Sequence, residues 1–268
     1  MTDETVVSVV QFAPGADVEA NRSSIAGFVE RAAALGARLV VFPEYSSFFV
    51  HPLGAEFVEA AEPLDGPFVA ELGRLAGAHR IHVVAGLVER TDDPARFSNT
   101  LVAVGPDGAL EATYRKQHLY DAFGASESSW VVPGSLDEPQ TFDLDGFRVG
   151  MQTCYDIRFP EVTRRLVDAG AELVLVPAEW VRGPLKEKHW STLLAARAIE
   201  NTVYVAAADQ TPPIGVGGSV ILDPMGVALA GLGETPGLTT ATVSRERLDA
   251  VRESNPSLAL RRYRVVER

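Results

Sequence analysis

One cysteine, Cys154, stands in a chain of 268 residues. An intramolecular disulfide framework is therefore excluded, and a reducing compartment fits. Long hydrophobic runs are missing as well. No stretch approaches the roughly 20 apolar residues of a membrane span. The acidic start Met1-Thr2-Asp3-Glu4 lacks the basic region of a signal peptide, so a soluble cytoplasmic protein is expected. Positive charge is scarce. Lys and Arg number 24 against 36 Asp and Glu, a net charge of −12, which repels phosphate backbones and argues against a nucleic-acid partner. The one local basic cluster, Arg261-Arg262-Tyr263-Arg264, reads as a solvated or interface tail. Metal and nucleotide signatures are absent too. His79 and His82 straddle a helix–strand boundary, and the chain has neither H-E-x-x-H, paired-cysteine spacing, a phosphate-binding G-x-x-x-x-G-K-[ST] loop nor a dinucleotide fingerprint. The glycine-rich Gly215-Val216-Gly217-Gly218 reads as a flexible loop before a strand.

What is there is an ordinary globular composition with enough chain for a substantial core. Short apolar runs alternate with helical patterns. Strands are expected over Val6–Gln11, Arg38–Phe42, Ile81–Val88, Leu173–Val176, Val203–Ala208, Gly218–Leu222 and Thr239–Val243. Helices are expected over Ala20–Leu35, residues 66–79 and Lys188–Asn201, the last with Leu193, Leu194, Ala196, Ala198 and Ile199 available for its inner face. Two hairpins are signalled. One turns at Gly105-Pro106-Asp107-Gly108 between Asn99–Val104 and Ala109–Arg115, the other at Asp145-Gly146 within residues 140–153. The order implies an α/β fold with mixed sheets. No composition shift marks a boundary, so one domain over residues 1–268 is expected, and its two similar halves are compatible with two packed sheets.

Cys154 follows the apolar strand Phe147–Thr153, and a helical pattern starts at Tyr155. A thiol there sits on rigid backbone near a helix's positive end, and both effects favour a thiolate. The alternative is a small buried hydrophobe. Two further groups stand just past strand ends, where ligand sites of α/β sheets gather. Glu44 follows Arg38–Phe42 and Pro43, and Lys116 follows the strand ending at Tyr114-Arg115. Each alone reads as a surface charge. Together they supply a base for the thiol and an ammonium for a thiolate or an oxyanion.

The segments Val41-Phe42-Pro43-Glu44, Tyr114-Arg115-Lys116 and Cys154-Tyr155-Asp156-Ile157-Arg158-Phe159-Pro160-Glu161 resemble the carbon–nitrogen hydrolase (nitrilase) superfamily in order and spacing. So do Pro133-Gly134, His189-Trp190, the run Ala196–Asn201, Gly218-Ser219 and Asp223-Pro224. The resemblance runs from Val6 to about Arg264. It implies a four-layer α-β-β-α sandwich of two mixed sheets, and a homodimer or higher homo-oligomer joined through helical layers. It assigns Glu44 as general base, Cys154 as nucleophile and Lys116 as oxyanion stabiliser, with the backbone N–H of Tyr155 completing the oxyanion hole. Many relatives carry a second glutamate. Glu127 is the candidate, to orient Lys116 and the attacking water; an exposed loop acid is the other reading. No metal or organic cofactor is implied.

The run after Cys154 looks like the branch of ω-amidases and deaminated-glutathione amidases. Pro177-Ala178-Glu179-Trp180, followed by His189-Trp190, is similar to 2-oxoglutaramate-type amidases, though Val181 stands where such relatives often have proline. The implied substrate is a small linear carboxamide with a distal carboxylate, which Arg158 or Arg182 could grip. Tyr45, Trp180 and Phe123 are candidates for the pocket wall or for plain core. Hydrolysis of an N-carbamoyl amino acid or a nitrile, transfer of the acyl group to an amine, and a catalytically silent binding subunit remain as alternatives.

Overall fold

Alternation along the strands decides the architecture. In the first strand, β1 (Glu4–Gln11), Val7 and Val9 face one way and Val10 the other, and all three are buried. β2 (Leu39–Val41) behaves likewise, with Leu39 and Val41 on one face and Val40 on the opposite one. A sheet apolar on both faces needs a layer on each side. The computed structural model describes residues 3–267; Met1 and Thr2 of the acidic start, and Arg268, lie outside the described residues.

The remaining elements are α1 (Val18–Ala34), α2 (Ala55–Ala60), α3 (Pro67–His79), β3 (His82–Arg90), β4 (Phe97–Val104), β5 (Leu110–Arg115), β6 (Thr141–Leu144), β7 (Phe147–Met151), α4 (Pro160–Asp168), β8 (Leu173–Ala178), α5 (Lys186–Asn201), β9 (Tyr204–Asp209), β10 (Val220–Leu222), β11 (Ala228–Gly231), β12 (Gly237–Ser244) and α6 (Arg245–Ser254). They build two six-stranded mixed sheets, ordered β12-β1-β2-β3-β4-β5 and β11-β10-β9-β8-β7-β6. The sheets face each other across one apolar layer that includes Val9, Val41 and Leu101 from the first and Val149, Leu175 and Ala206 from the second. α1 and α3 cover the outer face of the first sheet through Ile25, Val29, Phe68 and Leu72. α4 and α5 cover the second through Leu166, Leu194 and Ala198. This is the expected α-β-β-α sandwich.

Both hairpins form. Leu144 pairs with Phe147, leaving Asp145 and Gly146 at φ 51° and 91° as a two-residue turn whose twist suits a hairpin. Local differences emerge, among them β11, which forms where no strand was expected. α5 begins at Lys186, two residues before the expected start at Lys188, and its inner face is Trp190, Leu194, Arg197, Ala198 and Asn201, so Ile199 stands exposed. α2 and α6 lie where no helix was expected. The chain after Cys154 does not enter an α-helix directly. Cys154–Arg158 is a single 3₁₀ turn, and α4 starts only at Pro160. The dipole available to the thiol is therefore that of one short turn. No helix among the described residues is long and apolar enough to cross a membrane.

Candidate active site

Glu44 leaves β2 in a tight turn pressed against β3. A Cβ on Gly86 would stand 2.3 Å from the Tyr45 nitrogen and 2.8 Å from the Glu44 Cα, so only glycine allows this approach. The Glu44 carboxylate is buried and held at both oxygens. Oε1 accepts from Lys116 Nζ at 2.9 Å and Asn99 Nδ2 at 2.6 Å, and Oε2 accepts from the Glu179 backbone N–H at 2.6 Å. Gln210 Nε2 donates to the Glu44 carbonyl at 2.9 Å. Burial raises the Glu44 carboxyl above the usual carboxylate range; Lys116 opposes the rise and Glu127 adds to it.

Lys116 is fixed on both sides of its backbone. Its N–H donates to Asn99 O at 2.9 Å, and its carbonyl accepts from the Gly134 N–H at 2.8 Å. A Cβ on Gly134 would lie 2.2 Å from the Arg115 carbonyl, which gives the Pro133-Gly134 motif a physical reason. The Lys116 ammonium lies between two buried carboxylates, 2.9 Å from Glu44 Oε1 and 2.9 Å from Glu127 Oε2. Burial alone would lower its pKa. Glu127, Glu44 and Cys154 outweigh that and hold it well above the ordinary lysine range. Lys116 is thus a fixed positive charge, not a proton donor.

Glu127 is not an exposed loop acid. It is buried in a short 3₁₀ turn, and beyond Lys116 it accepts from Tyr45 Oη at 2.8 Å, Asn99 Nδ2 at 3.2 Å and the Tyr120 N–H at 2.5 Å. With every lone-pair direction engaged, its evident part is to anchor Lys116.

Cys154 sits at φ 45°, a left-handed conformation unusual for a side chain with a Cβ. Asp156 holds the turn. Its Oδ2 accepts from the Thr153 N–H at 3.4 Å and from Tyr114 Oη at 2.8 Å, and its Oδ1 accepts from the His118 N–H at 2.9 Å. One buried carboxylate thereby ties the nucleophile's turn to the residues flanking Lys116. Arg197, on α5, donates to the Ile157 carbonyl from the other side. Burial pushes the Cys154 thiol well above its ordinary range and Glu44 adds to the push, while Lys116 pulls the other way and loses. Burial and Glu44 thus favour the thiol over the thiolate expected from the strand-to-helix position. Sγ lies 3.5 Å from the Glu179 carbonyl, placed to donate to it.

Glu44, Lys116, Glu127 and Cys154 all line one cavity of about 700 Å³. Tyr45 lines it as well, while its hydroxyl serves Glu127. Tyr155 and Trp180 border a small separate pocket of about 10 Å³ that shares Cys154, Glu179 and Lys186 with the cavity. Arg158 is not among the lining residues. Its guanidinium lies 4.7 Å over the Trp180 ring, with Nη2 3.3 Å from His189 Nδ1. Arg182 does line the cavity but is paired with Glu234 at 3.0 Å. Phe123 stands at the mouth, largely exposed. No acid or histidine cluster among the described residues has the grouping of a metal site.

No role was expected of Asn99, Asp156 or Glu179, although Asp156 and Glu179 stand within motifs that carry the family resemblance. Asn99 is one polar residue within the buried β4. The only available signal was that an amide in a wholly buried strand needs partners. Glu179 follows β8 with a buried carboxyl raised well above its ordinary value by burial, then by Glu44 and Asp209, and its Oε1 has no hydrogen-bond partner.

Two mixed sheets sandwiched by helices, with a thiol, a carboxylate and a clamped ammonium in one cavity, point to a hydrolase of the carbon–nitrogen class. The sequence model of that family, carbon-nitrogen hydrolase, matches residues 6–253, and the chain belongs to it. A deaminated glutathione amidase from Escherichia coli O157:H7 is 39% identical over 258 residues, covering 96% of this chain and 97% of that one. The human omega-amidase NIT2 is 32% identical over 249 residues, 88% of this chain and 87% of the relative. Among solved structures, a CN-hydrolase superfamily protein of Xanthomonas campestris, with an arsenic adduct in its active site, superposes with a TM-score of 0.88 at 28% identity over 99% of this chain and 100% of that one.

Proposed function

We propose that the protein is a thiol amidase that hydrolyses a small linear carboxamide carrying a distal carboxylate, releasing ammonia through a thioester on Cys154. The observation that carries this reading is the Glu44–Lys116–Glu127 clamp facing the same cavity as the Cys154 sulfur. The names of the amidase relatives support an amide over a nitrile.

The chemistry follows from the charge states. A raised Cys154 thiol needs a base at the moment of attack, and Glu44 is the carboxylate available. Glu44 takes the Sγ proton as sulfur bonds to the amide carbon. The oxyanion forms against Lys116 and the Tyr155 N–H, groups already charged or oriented, so little reorganisation is required. Protonated Glu44 hands its proton to the amide nitrogen, the C–N bond breaks and ammonia leaves. Water then gives a proton to Glu44 and adds to the thioester. The C–S bond breaks, and the sulfur recovers its proton from Glu44. Glu127 keeps Lys116 in place throughout.

The test is ammonia release across a panel of ω-amides, carbamoyl amino acids and nitriles, with Cys154→Ala as control. Turnover is expected on ω-amides, accompanied by an acyl adduct at Cys154 in the mass spectrum. Loss of at least about 1000-fold in Cys154→Ala is expected. Ammonia release that survives this substitution, or a panel on which only nitriles react, would overturn the reading.

A further inference from the structure

We propose that Lys186, the first residue of α5, holds the carboxylate at the far end of the amide substrate. This deepens the amidase reading and rests on it. Lys186 is only 4% exposed, yet among the described residues no carboxylate forms an ion pair with it. Its Nζ lies 4.6, 4.7 and 5.2 Å from the ring centroids of Phe123, Tyr120 and Trp180. One N–H goes to Tyr120 Oη at 2.8 Å. An ammonium has three donors, so two remain.

The position is a costly one for a cation. A helix N-terminus carries positive partial charge and disfavours lysine, and the α5 start has no side-chain cap to offset this. Arg158, which also lies over the Trp180 ring, adds repulsion. A buried ammonium kept at such a place without a protein counter-charge is suited to an anion that arrives from outside. The cavity brings one. Lys186 lines the large cavity and also the small adjoining pocket that it shares with Cys154, Tyr155 and Glu179. A short linear molecule with its amide at Cys154 therefore has Lys186 within the same space. The Glu44–Lys116–Glu127 side of the cavity holds two carboxylates around one ammonium and disfavours an anion, whereas the Lys186 side attracts one. That polarity favours the amide, not the carboxylate, beside Glu44 and Lys116. Neither arginine expected from the sequence takes this part as directly, because Arg158 lines neither of these spaces and Arg182 already has Glu234.

The experiment compares glutaramate, which carries the carboxylate, with uncharged valeramide. In Lys186→Met, kcat/KM for glutaramate is expected to fall about 10- to 100-fold, mainly through KM, the scale of a lost charged hydrogen bond. Valeramide should lose no more than about threefold, and Lys186→Arg should recover part of the preference. An unchanged preference, or equal losses on both amides, would sink the proposal, as would a wild-type enzyme indifferent to the carboxylate. A second measurement needs no variant. Burial lowers the Lys186 pKa, helped by Arg158 and opposed by Cys154 and Glu179, with Tyr120 alongside as a neutral acceptor. KM for glutaramate should therefore rise on the alkaline side before ordinary lysines titrate, while KM for valeramide does not; parallel curves would count against Lys186. If neither amide is hydrolysed, the amidase reading fails separately. Competitive inhibition of the accepted substrate by glutarate, expected to weaken in Lys186→Met, still decides the role of Lys186.

Discussion

Asp209 shows how much of this site is built from carboxyls that prefer to be neutral. It ends β9, is fully buried, and accepts the Trp180 N–H on Oδ1 at 2.7 Å, while Oδ2 has no partner. Burial raises its pKa well above the ordinary value; the Trp180 and Gln210 N–H groups oppose the rise and Glu44 adds to it. The sign of the consequence is fixed. The native state keeps a proton that the unfolded chain has already released, so stability declines as pH climbs from the ordinary aspartate value towards the raised native one. Asp209→Asn, which imitates the protonated acid, is expected to flatten that decline. Urea unfolding of both proteins over a range of pH measures it; parallel stability curves would mean that Asp209 is ionised in the native state. The same logic sets Cys154 apart from a preformed thiolate nucleophile. Burial and Glu44 both resist a lone thiolate, which is why the proposed mechanism has Glu44 remove the proton during attack.

At the scale of elements, the site depends on close backbone approaches more than on any one helix or strand. The Glu44 turn rests on β3 at Gly86, whose N–H donates to the Pro43 carbonyl at 3.2 Å and whose carbonyl accepts from the Ser47 N–H at 3.0 Å. Gly86→Ala is therefore expected to force the turn outward, costing about 1–3 kcal/mol of stability and a larger share of activity. Thermal unfolding and ammonia release measure the two. Wild-type turnover in this variant would show that Glu44 tolerates displacement. Such contacts explain what could be read from the sequence and what could not. β2, β3, β8 and β9 were legible because strands buried on both faces are continuous apolar runs, and Asp145-Gly146 was legible because a two-residue turn demands positive φ. The Glu44, Lys116 and Cys154 positions were legible because each stands just past the end of a strand. α2 and α6 were not, since α2 has six residues and α6 has only Leu248 and Val251 buried. The turn after Cys154 looked helical, but the reciprocal Thr153–Asp156 capping bonds close it as 3₁₀ and Pro160 starts the helix afresh. Lys186 gave no signal either. A lysine in Gly183–Lys188 reads as a surface charge until the fold brings Tyr120, Phe123 and Trp180 around it.

The whole molecule is two copies of one strand pattern laid face to face. In the first sheet, β12 is antiparallel to β1, β1–β2–β3 are parallel, and β4 and β5 return antiparallel. The second repeats this with β6, β7–β8–β9, β10 and β11. Glu44 after β2 and Glu179 after β8 occupy corresponding places, and the Glu179 N–H donates to the Glu44 carboxylate across the junction. The site therefore exists only where the halves meet. Gln210 Nε2 on the Glu44 carbonyl, and the Thr5 hydroxyl on Asp145 at 2.8 Å, join the sheets at further points, and the shared apolar layer joins them throughout. Neither sheet can keep its inner face from water without the other, so the halves should unfold together. Alkylation of the single thiol supplies a probe inside the site, and far-ultraviolet circular dichroism supplies one for both sheets. Along a urea gradient the two midpoints are expected to coincide. A thiol that becomes reactive well before the ellipticity falls would mean that the sheets separate while each stays folded, and the shared layer would then be a docking interface between two units and not the core of one.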